Sequence, residues 1–328
     1  MSGRKKPLVA VCRQIPEAGL KLLRTRCTVK LHSGDVLTAR QLKAFVKGAD
    51  AILTLLTDKV DAELLVAAGP QLKIIANYAV GFDNLDLEAI ARQGLVATNT
   101  PGQLTDSVAE HSLALLLATS RRIVEADQFV RAGKYQQWEP LLFWGQPLLG
   151  RTLGLVGSGR IGAALGLIAH RGLRMRILYH DVCSCPDLER HAGASRVGLR
   201  ELLRRSDVVS LHLPLLPSTR HLIGRAELAL MKPESILINT ARGPVVDETA
   251  LTEALTEKRI FAAALDVFEH EPTIAAALRR LPNVVLTPHI ASATRDAREQ
   301  MSEMAARNIL AVLSGKPAVN LIPLPKIT

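Results

Sequence analysis

Short apolar runs separated by polar or amphipathic stretches set the pattern of this chain. They are LVAVC (8–12), AILTLL (51–56), LKIIANY (72–78), GLVATN (94–99), TLGLVG (152–157), RILYH (176–180), VVSLHLP (208–214), SILINTA (235–241) and NVVLTPH (283–289). In each, apolar residues stand at consecutive positions rather than at every second one. Side chains alternate between the two faces of a strand, so such a run needs cover on both faces, the situation of a parallel sheet between helices. The intervening segments, such as Pro16–Cys27, Thr38–Lys47 and Asp61–Ala68, have helical length. The alternation predicts an α/β protein built of doubly wound parallel sheets. A length of 328 residues favours two domains. There is no internal repeat, low-complexity segment or Ser/Gly linker.

One longer helix is expected from Ser107. Ser107 and Glu110 fit a capping box, and Gly133 provides a stop after Ala132. The stretch VAEHSLALLLAT (108–119) is apolar around most of its circumference and so requires burial on more than one side. Packing between two layers of its own subunit would satisfy it. The working expectation is a homodimer interface.

Composition narrows the class. Hydrophobic residues make up 48% and charged residues 22%, as in a globular chain. The net charge of +10 is spread along the sequence, and aromatic residues are only 3%, leaving little for base stacking. No nucleic-acid partner is expected, and the basic field suits small anionic substrates. Cys12, Cys27, Cys183 and Cys185 have no zinc-like spacing, so no metal is expected, and reduced thiols point to the cytoplasm. The start MSGRKKPLVAVC reads as a first strand rather than a signal peptide. The longest apolar run, Ser112–Thr119, is too short to span a membrane.

Gly157-x-Gly159-x-x-Gly162 follows the strand Leu153–Val156 directly and opens a helix-like stretch. That context turns a weak motif into a specific one, a dinucleotide-binding turn. The first glycine permits the turn, the second admits a pyrophosphate against backbone, and the third lets helix and strand pack closely. The phosphates then lie over free N–H groups at the helix N-terminus. The next strand ends at Asp181, placed to bind the adenosine ribose hydroxyls and to repel a 2′-phosphate. Residues 182–186 contain no Arg to receive one. NAD(H) is therefore expected as the preferred cofactor, with NADP(H) the alternative.

Three further strands end in ionisable residues: ILINTARGPVVDE carries Arg242, AAALDVFEHEP carries Glu271, and NVVLTPHIASAT carries His289. Ligands of open α/β sheets bind beyond the carboxyl ends of strands, so the three are expected near the glycine turn. Reducing a ketone with a nicotinamide hydride builds negative charge on oxygen, and the protein must supply a proton. His289 is suited to that, a carboxylate such as Glu271 would favour and orient its imidazolium, and Arg242 would grip a substrate carboxylate. Glu269 competes as the acid and His270 as the base.

The segments ANYAVGFDNLD (76–86), TNTPG (98–102), GSGRIG (157–162), NTARGPVVDE (239–248), LDVFEHEP (265–272) and LTPHIASA (286–293) resemble, in order and spacing, the D-isomer-specific 2-hydroxyacid dehydrogenases, closest to glyoxylate/hydroxypyruvate reductases. The resemblance implies two Rossmann-like doubly wound parallel-sheet domains, the N-terminal one discontinuous. Residues 1–101 and 291–328 would form the substrate domain and 102–290 the NAD-binding domain. It makes Arg242, Glu271 and His289 the catalytic trio and assigns substrate contacts to Val80, Gly81 and Arg242. Cofactor contacts would come from Thr105, Gly157, Gly159, Arg160, Ile161, Gly162, Asp181, Thr240, Ala241, Asp266, His289 and Ala291. The implied reaction is NAD(P)H-dependent reduction of glyoxylate or hydroxypyruvate to the 2-hydroxy acid. Alternatives are another family substrate (2-ketogluconate, D-lactate or 3-phosphoglycerate) or an NAD(H)-binding, corepressor-like protein with little turnover.

Overall fold

The computed structural model describes residues 6–102 and 104–326. The chain divides into two compact units, residues 1–104 with 293–328, and residues 105–292. In the first unit the elements run β1 (Leu8–Val11), α1 (Glu17–Arg26), β2 (Thr28–Leu31), α2 (Ala39–Val46), β3 (Ala51–Thr54), α3 (Ala62–Ala68), β4 (Ile74–Asn77), α4 (Leu87–Arg92) and β5 (Val96–Thr98). All strand pairs are parallel, in the order β2-β1-β3-β4-β5. Thr38 caps α2 in a capping box with Gln41, and Asp61 and Asp86 cap α3 and α4.

The second unit holds α5 (Thr105–Ser120), α6 (Ile123–Arg131), β6 (Thr152–Val156), α7 (Arg160–Leu173), β7 (Arg176–His180), α8 (Pro186–Ala192), β8 (Ser195–Arg196), α9 (Leu199–Arg205), β9 (Val208–Leu211), α10 (Arg225–Leu228), β10 (Ile236–Asn239), α11 (Glu248–Thr256), β11 (Ala262–Leu265), α12 (Ala276–Arg280) and β12 (Val284–Leu286). Its parallel sheet has the order β12-β11-β10-β9-β6-β7-β8. The order reverses between β6 and β9, where doubly wound sheets bind their ligands. The chain then returns to the first unit through α13 (Arg295–Leu313), which packs on α1 and β4.

The apolar runs do what their pattern requires. On one face of the larger sheet Leu153, Leu155, Ile177 and Tyr179 share a core with Leu165 and Ala169 of α7. On the other face Val156, Leu178, Val209 and Leu211 pack with Leu202 of α9 and Leu251 of α11. Two elements escape the pattern. β2 is a half-exposed edge strand with alternating burial, and β8 is only two residues long and exposed.

The helix expected from Ser107 to Ala132 is two helices, and it begins at Thr105. Thr105, Asp106 and Ser107 are all good starting residues, so sequence alone does not choose among them. The break falls at Arg122, in the left-handed region with φ 52°. Its guanidinium forks onto Glu125 at 2.8–2.9 Å and stands over the Phe143 ring, while the Ser120 carbonyl accepts from the N–H of Gln146. The returning loop thus takes up the backbone that would have continued the helix. Gly133, with φ 69°, ends α6 as expected. α5 buries Val108, Ala109, Ser112, Leu115 and Leu116, largely against α7 and β10–β12 of its own unit. α6 buries nothing, and Ile123, Val130, Tyr135, Trp138, Leu141 and Trp144 are exposed.

Much of the basic excess caps helices. Arg24 and Arg26, His170 and Arg171, Arg204 and Arg205, and Arg279 and Arg280 lie in the last turns of α1, α7, α9 and α12. There they offset the negative end of the helix dipole. Among the described residues no helix is long and apolar enough to cross a membrane, and no cluster of metal ligands occurs.

Candidate active site

The glycine turn follows β6 at the point where the strand order reverses. Gly157 has φ 96°, and a Cβ there would lie 2.4 Å from the His212 carbonyl oxygen. A Cβ on Gly162 would lie 2.2 Å from the Gly157 carbonyl, so α7 sits directly on the turn. Around Gly159 a Cβ would meet nothing within 4 Å. Two glycines are thus required by the fold, whereas the middle one borders open space, as a cradle for a phosphate group requires. The residues present fit a dinucleotide. Arg160 is exposed and Ile161 half-buried at the start of α7.

Asp181 is tied to the turn. Its Oδ2 accepts from the N–H and hydroxyl of Ser158 at 2.7 and 3.2 Å, and its Oδ1 from the N–H of Cys183 at 3.3 Å. Burial alone would raise its pKa, but these hydrogen bonds outweigh burial and hold the carboxyl below its ordinary range. Sequence reasoning misses one neighbour. Arg196 of β8 donates to the Asp181 carbonyl through Nε and Nη2, and to the Val182 carbonyl through Nη2. It lies outside the window 182–186 and reaches this edge only because β8 pairs with β7. His212, at the end of β9, has Nε2 2.9 Å from Ser210 Oγ, and desolvation pushes its pKa down to about 4.

Downstream of β10, Asn239 is buried and clamps its own turn. Its Nδ2 donates to the Arg242 carbonyl and its Oδ1 accepts from the N–H of Ala241, each at 3.0 Å. Thr240 Oγ1 lies 2.9 Å from Ser112 Oγ on α5, a helix that Thr105 opens. Arg242 is half-buried, with Nη1 donating to the Ala241 carbonyl at 2.8 Å. Gly243 packs so closely on the backbone of Phe268 that a Cβ would overlap it at 1.9 Å. The Arg242 turn and the segment carrying the acids therefore lie side by side.

The acid pair separates cleanly. Glu271 Oε2 is 2.9 Å from His289 Nδ1, and its Oε1 accepts from the N–H of Phe268 at 3.0 Å. Glu269 is engaged elsewhere, with Oε1 2.6 Å from His221 Nε2 and Oε2 accepting from the N–H of Glu248. His270 is exposed. With Nδ1–H directed at Glu271, the Nε2 of His289 is the nitrogen left to meet a ligand. The His289 side chain is 30% exposed.

The Asp266 side chain is only 1% exposed. It accepts from Thr287 Oγ1 at 2.6 Å and from the N–H groups of Ile290 and Ala291 at 2.8 Å. Burial alone would raise its pKa, but these donors and His111 hold it below its ordinary range. Ala241 and Ala291 are both buried.

In the first unit, Val80 and Gly81 follow β4 on a loop held by asparagines. Asn77 Nδ2 donates to the Gly81 carbonyl at 2.9 Å and Asn99 Nδ2 to the Val80 carbonyl at 2.7 Å. Thr54 and Asn84 complete the network through the Asn77 side chain. Among the described residues, neither Val80 nor Gly81 donates its own N–H to a protein acceptor.

Comparison with known proteins identifies the lineage. The model of the D-isomer specific 2-hydroxyacid dehydrogenase NAD-binding domain matches residues 113–291. The chain belongs to this dehydrogenase family. A glyoxylate reductase of Thermococcus litoralis is 50% identical over 322 residues, 97% of each chain. The dehydrogenase also superposes on a protein from Thermus thermophilus at TM-score 0.91 and 44% identity, covering 96% of this chain and 100% of that one. An NADPH-dependent glyoxylate/hydroxypyruvate reductase from Sinorhizobium meliloti, solved with NADP and malonate, aligns at TM-score 0.85 and 31% identity over 99% and 100% of the two chains. The dehydrogenase is thus an oxidoreductase with an NAD-binding domain.

Proposed function

We propose that this dehydrogenase reduces a small 2-keto acid, glyoxylate or hydroxypyruvate, to the 2-hydroxy acid. The observation that carries the reading is the His289–Glu271 pair at 2.9 Å, beside the Arg242 turn and in the same unit as the glycine turn. The names of the glyoxylate reductases it resembles support the substrate class. Residues 105–292 are the cofactor domain in this reading, and residues 1–104 with 293–328 the substrate domain.

A nicotinamide dinucleotide held at the glycine turn 157–162 would supply the hydride that the carbonyl carbon takes up. His289 Nε2 gives a proton to the carbonyl oxygen, and Glu271 holds the ring and balances its charge. Arg242 grips the substrate carboxylate and polarises the neighbouring carbonyl. The N–H groups of Val80 and Gly81, which have no protein acceptor among the described residues, are proposed as further substrate contacts. NADH is preferred over NADPH because the Asp181 carboxylate stays charged and repels a 2′-phosphate, while Arg196 is occupied by carbonyls at that edge. Steady-state assays of NADH and NADPH against glyoxylate, hydroxypyruvate, pyruvate and 2-ketogluconate test this. The expected outcome is highest kcat/KM with NADH and one of the first two acids, and a loss of about 10²–10⁴-fold in kcat for His289→Ala. A His289→Ala variant with wild-type kcat would refute the assignment. NADH binding without turnover would favour a corepressor-like role.

The protein is further proposed to be a cytoplasmic homodimer, joined through α5, α6 and the apolar loop that follows. The exposed Trp138, Leu141 and Trp144 supply the surface. Size-exclusion chromatography with light scattering is expected to give twice the chain mass of 35.5 kDa. A monomer at assay concentration overturns it.

A further inference from the structure

One cluster beside His289 has no part in the chemistry just described. His111 lies on α5 with its side chain 20% exposed, and its Nε2 is 3.2 Å from Thr287 Oγ1 and 3.5 Å from Asp266 Oδ1. Thr287 has a single hydroxyl proton, which it donates to Asp266 Oδ1 at 2.6 Å. Its contact with His111 must then be accepted by the hydroxyl oxygen, so His111 Nε2 carries a proton aimed at both oxygens.

Among the described residues, every other donor to the Asp266 carboxylate comes from residues 287–291. Thr287 gives its hydroxyl, and Ile290 and Ala291 give their N–H groups. The N–H of His289 itself donates to the Asp266 backbone carbonyl at 2.8 Å. His289 sits at φ 55°, left-handed backbone that a non-glycine residue adopts only where its surroundings impose it. Asp266 imposes it, and His111 is the one side-chain donor to that carboxylate from outside the segment among the described residues.

We propose that His111 is a positioning residue for the reduction. Its Nε2–H completes the donor set of the buried Asp266 and fixes Thr287, so that residues 287–291 present His289 to Glu271 and to the substrate. This rests on His289 being the proton donor. A buried carboxylate short of one donor shifts to regain it, and a shift of about an ångström in a proton donor lowers turnover without touching the dinucleotide site.

The test uses the full-length protein, with kcat, KM for glyoxylate, the NADH dissociation constant from fluorescence, and Tm. His111→Leu is expected to lower kcat about tenfold or more while NADH binding stays within about twofold. His111→Gln places an amide N–H where Nε2 stood and is expected to restore kcat to within about threefold of wild type. If His111→Leu does not fold, Thr287→Val, which removes the shared hydroxyl, carries the same expectation. The double variant should lose little more than either single one, since both break one network. Wild-type kcat in His111→Leu and Thr287→Val overturns the proposal. So does weakened NADH binding as the main defect, which would make His111 a cofactor contact, or failure of His111→Gln to rescue. In each of these cases a dead His289→Ala variant leaves the proton-donor reading intact, whereas an active one removes that reading first.

Discussion

The two sheets of this protein share an architecture and differ in what stands at their carboxyl ends. Both are parallel and doubly wound. Beyond β6 the larger sheet leaves space, with a glycine turn bordering nothing within 4 Å at its middle position. Beyond β4 the smaller sheet fills that space with amides, as Asn77, Asn84 and Asn99 tie down the carbonyls of the 80–81 loop. One mouth is built to admit a large ligand against bare backbone. The other is built to hold two backbone N–H groups still. Topology decides where ligands go, and loop residues decide which ligand.

The strongest way to break this contrast is to close the first mouth. At Gly157 an added methyl meets both a φ of 96° and the His212 carbonyl at 2.4 Å. Gly157→Ala is expected to cost roughly 3 kcal/mol or more and to abolish NADH binding. Gly159→Ala meets no protein atom, so its Tm should match wild type while the NADH dissociation constant rises about tenfold. Thermal melts and NADH fluorescence on the pair check this. Equal Tm losses in both would mean that Gly159, too, serves the fold, and the open-mouth reading would fail.

Much of this contrast is legible in the amino-acid sequence. Each of the nine short apolar runs from 8–12 to 283–289 contains a strand, because a strand covered on both faces needs apolar side chains at consecutive positions, whereas the longer run 112–119 is part of the helix α5. β2 alternates exposed and half-buried positions and β8 is two exposed residues, so neither carries that signature and both are silent in the pattern, and with β8 goes Arg196. The glycine turn and the Glu271–His289 pair lie on local motifs and can be read directly. Glu269 and Glu271 cannot be separated on spacing alone. Their separation depends on Phe268 N–H and Glu248 N–H, contacts made by the folded loop. Asp266 and His111 are harder still. They stand far apart along the chain, and only the packing of α5 against β11 and β12 brings them together.

The same comparison predicts a smaller and more selective effect in the second mouth. Asn99 makes one side-chain bond there, 2.7 Å to the Val80 carbonyl, and is half-buried. Asn99→Ala removes one neutral hydrogen bond, worth about 1 kcal/mol. If that bond serves to aim the N–H groups of the 80–81 loop at a substrate carboxylate, the loss appears as a KM for glyoxylate about fivefold higher. The NADH dissociation constant should not change, since the cofactor turn belongs to the other unit. A lower kcat with KM unchanged would place Asn99 in the chemical step instead. An unchanged KM and kcat would show that the amide network is scaffolding only and that this loop does not hold the substrate.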